Sequence, residues 1–286
     1  MGCRDGFAAF ILTHGRARNV QTYGTLRKCG YTGPIYVVID DEDGQADEYR
    51  RIYGGEVVQF CKAEVARGID AFDNFPERRA IIYARHWCFA LARKLGLTHF
   101  VELDDDYSTF MHRFTEDGRR LLSRRTRRLD DVFAAYLDFL DETGALAVAF
   151  VQGGDLLGGC KAYPWPDGCI RKAMNAFFCR TDRPFSFRGK INEDVCTYTM
   201  LGSVGGLFLS PVHFQLLQGG TQQNTGGMTG LYLDVGTYVK TFYSVIGMPS
   251  AVKVSVMGKS NLRMHHSIAW RNCVPKILNE KWRRVK

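Results

Sequence analysis

The feature that most restricts this chain's fold is a set of short, largely apolar runs spaced between amphipathic stretches along its first hundred residues. Residues 7–13 (FAAFILT), 34–40 (PIYVVID) and 98–103 (THFVEL) are too short for buried helices and lack strict polar alternation. They read as strands covered on both faces. Helical segments fall between them: 19–28 stopped near Gly30, an acidic 43–53 stopped at Gly54-Gly55, and a long one opened by Pro76 and closed by Leu95-Gly96. In the last of these, Ile81, Ile82, Ala84, Trp87, Cys88, Leu91 and Leu95 recur at helical spacing, which gives it a face to lay on a sheet. Residues 56–60 make a further strand. Buried strands joined by helical crossovers run parallel, so the expectation is an α/β fold whose mostly parallel central sheet is flanked by helices. Beyond residue 107 the pattern is more mixed. A helix is expected at 129–142, a strand at 145–151, a helix after Glu193, a glycine-rich loop at 219–230, a helix at 231–245 and a strand at 252–256, before a histidine-containing C-terminal segment. No repeat or linker divides the chain.

Chemistry concentrates where the strand at 98–103 ends, in the segment VELDDDY. Three adjacent carboxylates, Asp104, Asp105 and Asp106, repel one another and gain nothing from packing, so a cation is the economical reason for them. If the strand continues, Asp104 and Asp106 face the same way and share one divalent ion. Oxygen ligands of this kind suit Mg2+ or Mn2+. Strand ends are also where open α/β sheets bind ligands. Further along, Glu193 and Asp194 open a helix behind Asn192, a candidate N-cap, although acids in a first turn also serve the helix dipole. The segment RMHHSIAW sets His265 beside His266, either of which could complete a metal site with Asp106. Arg85, with Arg78 and Arg79, could grip a diphosphate or solvate a helix face. The turn Thr13-His14-Gly15-Arg16 offers backbone N–H groups to an anion.

Cysteine usage and charge remove several classes. Nine scattered cysteines without a Cys-x-x-Cys pair supply neither a disulfide framework nor a thiolate zinc site, so free thiols are expected. No apolar run approaches the ~20 residues of a membrane span. The first run is too short for a signal peptide and no Asn-x-Ser/Thr acceptor occurs, which together read as a cytoplasmic protein. Neither a Walker loop nor Gly-x-Gly-x-x-Gly is present, against an ATPase or a Rossmann dehydrogenase. The net charge of +8 is compatible with a polyanionic partner. Residues 118–130 (GRRLLSRRTRRLD) gather Arg119, Arg120, Arg124, Arg125, Arg127 and Arg128 into either a strip that tracks phosphates or a solvated basic face.

In chain order, the Thr13–Arg16 turn, Asp40-Asp41, Tyr83-Ala84-Arg85-His86, Asp104–Asp106, Glu193-Asp194 and His265-His266 together resemble the GT-A glycosyltransferases, with His86 where many relatives carry Asn. Residues 171–180 (RKAMNAFFCR), 187–198 (FRGKINEDVCTY) and 263–278 (RMHHSIAWRNCVPKIL) more closely resemble the glycosyltransferases associated with TET and JBP oxygenases. That group includes the base J glucosyltransferase, and its members, largely in bacteriophages and some eukaryotes, glycosylate hydroxymethylated pyrimidines in DNA.

The resemblance implies one GT-A-like domain, with residues 1–107 binding a nucleotide sugar and 108–286 carrying the acceptor and catalysis. UDP-glucose is the implied donor, with Asp40 at the uridine, Thr13, Gly15 and Arg16 at the first turn, Asp104 and Asp105 at the ribose or metal, and Arg85 on the diphosphate. Mn2+ or Mg2+ is implied on Asp104, Asp106 and one of His265 and His266, and Asp194 as general base beside Glu193. Double-stranded DNA would follow the arginine strip, with the base leaving the stack into a pocket drawn from Trp165, Phe177, Phe178 and Gln222-Gln223. Rival readings are a GT-A enzyme acting on a carbohydrate, cell-surface or protein acceptor, a non-catalytic metal-containing DNA-binding protein, and a nuclease.

Overall fold

The apolar runs form the strands their composition dictates. The computed structural model describes residues 3–218, 236, 238–258 and 262–276. Strand β1 (Phe7–Leu12) is buried along its whole length. Its alternate residues serve two cores: Phe7, Ala9 and Ile11 enter one, Ala8, Phe10 and Leu12 the other. This two-sided burial explains why the run carries no polar alternation. Strands β2 (Ile35–Asp40), β3 (Val57–Phe60) and β4 (His99–Asp104) join it in the parallel order β3-β2-β1-β4. Leu12 of β1 pairs with Asp104 of β4, so these strands end level with each other. Chain order reverses between them, because β2 lies on one side of β1 and β4 on the other. A crevice opens at such a switch point.

Helices α1 (Gln21–Lys28), α2 (Ala46–Tyr53), α3 (Lys62–Ala66) and α4 (Ile82–Lys94) connect these strands. The long helix expected from Pro76 begins only at Ile82. Upstream, side chains and backbone groups pair in non-helical ways: Glu77 accepts from the Arg79 N–H, Arg78 reaches Glu42, and Lys190 donates to the Glu77 carbonyl. After α1, Gly30 takes φ +89° where a Cβ would stand 2.2 Å from the Arg127 carbonyl oxygen, so only glycine fits this crossing.

Strand β5 (Tyr107–Phe114) starts one residue after the acidic turn and pairs with β6 (Leu122–Arg125); with β11 (Phe214–Gln218) they make a small antiparallel sheet. Helix α5 (Leu129–Thr143) packs beneath the main sheet, which β9 (Phe177–Arg180), β7 (Ala147–Val148), β10 (Phe208–Pro211) and β8 (Cys169–Ile170) extend beyond β4. The strand expected over 145–151 shrinks to β7 plus a bridge from Val151 to Gln215. A short helix α6 (Pro164–Asp167) precedes β8, and α7 (Glu193–Ser203) starts at the expected acids. Of the helix expected at 231–245, residues 231–235 and 237 lie outside the described residues; the described helix is α8 (Val239–Gly247). It packs on a hairpin of β12 (Val252–Met257) and β13 (Arg263–Ile268), so the histidine segment is a strand. The loop at 219–230 lies outside the described residues. All nine cysteines are free, as expected. Among the described residues no helix is long and apolar enough to cross a membrane.

Candidate active site

A cavity of about 630 Å³ lies at the C-terminal ends of β1, β2 and β4 and is bordered on its far side by the first turn of α7, by α8 and by β13. Most residues singled out in the sequence meet here, though several do so in another capacity than expected. Asp105 borders the cavity, but its carboxylate is engaged within the protein. Its carboxylate accepts from the Thr13 hydroxyl at 2.6 Å and the Arg16 guanidinium at 2.8 Å, so it clamps the turn after β1. The N–H groups of that turn are engaged as well. Gly15 donates to Asp43 at 2.8 Å and Arg16 to the Tyr49 hydroxyl at 2.9 Å. The Gly15 and Arg16 N–H groups are thus taken up within the protein, while Thr13, His14 and Arg16 of the turn border the cavity.

Asp40, at the end of β2, lies between His14 Nδ1 at 2.8 Å and the buried Lys62 ammonium at 2.9 Å. Burial works against its charge, but the hydrogen bonds from His14 and Lys62 prevail and hold the carboxyl below the usual range. The same bond to Asp40 raises His14. Neither His14 nor Lys62 carried a role in the sequence, since only the fold brings Lys62 of α3 to the β2 end.

Strand β4 stops at Asp104, so strand alternation does not account for the common aspect of Asp104 and Asp106. A turn does, held by Thr22, whose N–H bonds the Asp105 carbonyl at 3.0 Å and whose hydroxyl bonds the Asp104 carbonyl at 2.6 Å. Burial pushes the Asp104 carboxyl up to about 7 against the pull of Arg85. Asp106 is raised by burial and by neighbouring Asp105. Both border the cavity, and the charge of Arg16 and its own backbone N–H pull the Asp106 carboxyl partly back down.

Arg85 is 2% exposed and reaches Glu193 (3.0 Å), Asp104 (2.9 Å) and Glu102 (3.5 Å). Glu193 and Asp194 open α7. Asn192 has φ +59° and does not cap the helix; its amide instead donates to Ser244 of α8 at 2.5 Å and stands 3.3 Å from His266 Nδ1. Burial, and next the charge of Glu193, raise the Asp194 carboxyl well above the ordinary range.

His265 and His266 stack at 4.3 Å on β13, and burial pushes His266 down to about 4. Among the described residues they do not border the cavity, and His266 stands behind Asn192, which does. Among the described residues no three His, Cys, Asp or Glu side chains are gathered as metal ligands. The fit to Mg2+ or Mn2+ therefore rests on Asp104 and Asp106, two hard oxygen donors beside an open cavity. Such ions commonly take one or two carboxylates and complete their shell with water and substrate phosphate. Two cations unmarked in the sequence, Lys240 of α8 and Arg263 of β13, also border the cavity.

Phe177 and Phe178 are core side chains, and Trp165 is half-buried beside His213, outside the cavity lining; Gln222 and Gln223 lie outside the described residues. The arginines 119, 120, 124, 125, 127 and 128 are all exposed on and around β6, in the small sheet that β5 leads into from the acidic turn. Arg128 pairs with Asp131 at 2.5 Å.

Similar solved structures include the glucosyl-3-phosphoglycerate synthase of Mycobacterium tuberculosis in complex with Mn2+, UDP and phosphoglyceric acid, with 10% identity, 92% of this chain and 86% of that one covered, and a TM-score of 0.43. S. aureus TarS aligns with 12% identity over 82% of this chain and 39% of its own, at a TM-score of 0.41. Its 1–349 form in complex with UDP-GlcNAc aligns with 13% identity over 84% and 66%, at 0.43. No curated protein matches the sequence. The mostly parallel, helix-flanked sheet is the α/β architecture expected from the sequence. The sequence model of the TET-Associated Glycosyltransferase family matches residues 7–227, from β1 past β11, and the chain belongs to that family.

Proposed function

We propose that this glycosyltransferase moves a sugar, most simply glucose from UDP-glucose, onto the hydroxyl of a hydroxymethylated pyrimidine in double-stranded DNA, with Mn2+ or Mg2+ at the donor diphosphate. One observation carries the reading: a single cavity at the switch point is bordered by the carboxylates Asp104 and Asp106 and also by the raised carboxyl of Asp194. Asp104 and Asp106 would hold the divalent ion, which would supply neutralisation of the charge gathering on the departing diphosphate. Asp40, fixed by His14 and Lys62, shapes the floor on which the uridine lies. Lys240 and Arg263 face the diphosphate and hold its charge as the glycosidic bond breaks. Asp194 accepts the proton of the attacking hydroxyl. Its raised basicity suits that task, because a base is most effective when its pKa lies near the working pH.

Membership of a TET-associated family and the exposed arginine strip support the DNA acceptor. The test incubates the protein with Mn2+, a panel of UDP-sugars, and DNA containing 5-hydroxymethylcytosine, 5-hydroxymethyluracil or neither, followed by digestion and mass spectrometry of nucleosides. The expected result is a hexose-sized gain on one modified base, absent in Asp106→Ala and Asp194→Ala. UDP release with a carbohydrate or protein acceptor, and none with modified DNA, would overturn the acceptor and leave the transferase.

A further inference from the structure

We infer that Arg85 is a positioning residue: its guanidinium ties the donor-side carboxylate Asp104 to the acceptor-side pair Glu193-Asp194 and sets the gap across which the sugar moves, without itself binding the diphosphate. The inference rests on the donor reading above for what occupies the gap, and on geometry for the rest. All three guanidinium nitrogens have partners. Nε donates to Glu193 at 3.0 Å, Nη1 to the Asn175 carbonyl at 3.1 Å with Glu102 at 3.5 Å, and Nη2 to Asp104 at 2.9 Å. The Phe177 ring lies 4.9 Å from the guanidinium carbon. Asn175 holds a left-handed φ of +64° just before β9 as it presents that carbonyl, a strained conformation for a side-chain-bearing residue. One buried cation thus joins four segments: α4, β4, the turn before β9 and the first turn of α7.

Arg85 borders the cavity together with Lys240 and Arg263, but its guanidinium is engaged with Asp104, Glu193, Glu102 and the Asn175 carbonyl. The planar fork matters because a point charge cannot hold Asp104 and Glu193 along separate directions. Asp194 follows Glu193 directly, so a slack first turn of α7 displaces the group that receives the proton.

The test uses Arg85→Lys, which keeps the charge and removes the fork, and Arg85→Ala with added guanidinium. Thermal melts confirm folding, and the Lys variant decides the matter alone should the Ala variant not fold. UDP affinity is measured without divalent ion, alongside kcat and donor KM. The expected result for Arg85→Lys is a kcat lowered about 100-fold, the scale of a misplaced reacting group, with UDP affinity and donor KM within about threefold of wild type. Guanidinium restores part of the kcat of Arg85→Ala. Backbone hydrogen exchange at the first turn of α7 is faster in Arg85→Lys. A loss of UDP affinity of about tenfold or more would make Arg85 a phosphate ligand and overturn the inference, as would wild-type kcat with unchanged exchange. Absence of UDP binding by the wild type with Mn2+ supplied would instead sink the donor reading, and the exchange measurement would still judge the positioning role.

Discussion

Replacing Glu102 with glutamine should make the protein more stable, and the gain should depend on pH in a defined way. Glu102 is 0% exposed on β4, its Oε1 lacks a partner among the described residues, and its other oxygen stands 3.5 Å from Arg85. Burial pushes its carboxyl from an ordinary 4.5 up to about 8, opposed by Arg85 and reinforced by Asp104. The folded protein therefore keeps this proton up to about pH 8, whereas the unfolded chain releases it above 4.5. Because the folded pKa of this acid is raised, stability falls as pH rises through that window and levels off above it. At ~1.36 kcal/mol per pH unit, the loss reaches ~3 kcal/mol at pH 7 and ~5 kcal/mol above pH 8. Glutamine keeps the shape and the acceptor oxygen for Arg85 and does not titrate. Glu102→Gln should then match the wild type near pH 4.5 and exceed it by ~3 kcal/mol at pH 7, less whatever a compact denatured state retains. Urea unfolding at pH 5, 7 and 8.5 measures both curves. A stability difference that stays constant across these pH values, or a variant weaker than wild type at pH 8.5, would refute the reasoning.

Asp194→Asn should lower kcat by about 10³-fold or more while leaving UDP affinity within about threefold, read by steady-state kinetics and calorimetry. In the wild type the acid limb of kcat/KM should lie above the ordinary carboxylate range, since burial and Glu193 raise Asp194, with the rate falling as pH drops through that limb and the base becomes protonated. Lys240→Met and Arg263→Met should each weaken UDP binding by about tenfold with little change in uridine binding, which calorimetry separates. Converting Arg119, Arg120, Arg124 and Arg125 to Ser should weaken DNA binding and flatten its salt dependence by a log–log slope of about 1 for each phosphate no longer neutralised; an unchanged slope from ~50 to 200 mM salt would remove DNA from this surface.

The first hundred residues were readable in advance because their physics is local. Continuous apolar runs could only be doubly covered parallel strands, and Asp104 at the end of one had to lie on a ligand-binding edge. What resisted reading were side chains whose partners are distant in sequence. Nothing near Asp105 shows that Thr13 and Arg16 would claim it, nor near Gly15 that Asp43 would take its N–H. Lys62, Lys240 and Arg263 reach the cavity only through packing of α3, α8 and the β12–β13 hairpin, and no local pattern marks them.

Arg85 is the instructive intermediate case. It falls three residues after Ile82 and three before Cys88, on the stripe that α4 buries. A charged residue on a buried stripe needs compensation from inside the protein, because isolated burial of a charge is prohibitive. Glu102 and Asp104 alternate on the adjoining buried strand, so two of its counter-ions were already visible, although Glu193 was not. The helical period therefore carried enough information to reject a solvated arginine. It also predicts a consequence for any relative built this way: a change at Arg85 should be tolerated only together with neutralisation at Glu102 or Glu193. The double variant Arg85→Met/Glu102→Gln should accordingly be more stable than Arg85→Met alone, and above pH 8 by an amount exceeding the gain that Glu102→Gln brings to the wild type, because without Arg85 the Glu102 carboxyl keeps its proton to still higher pH.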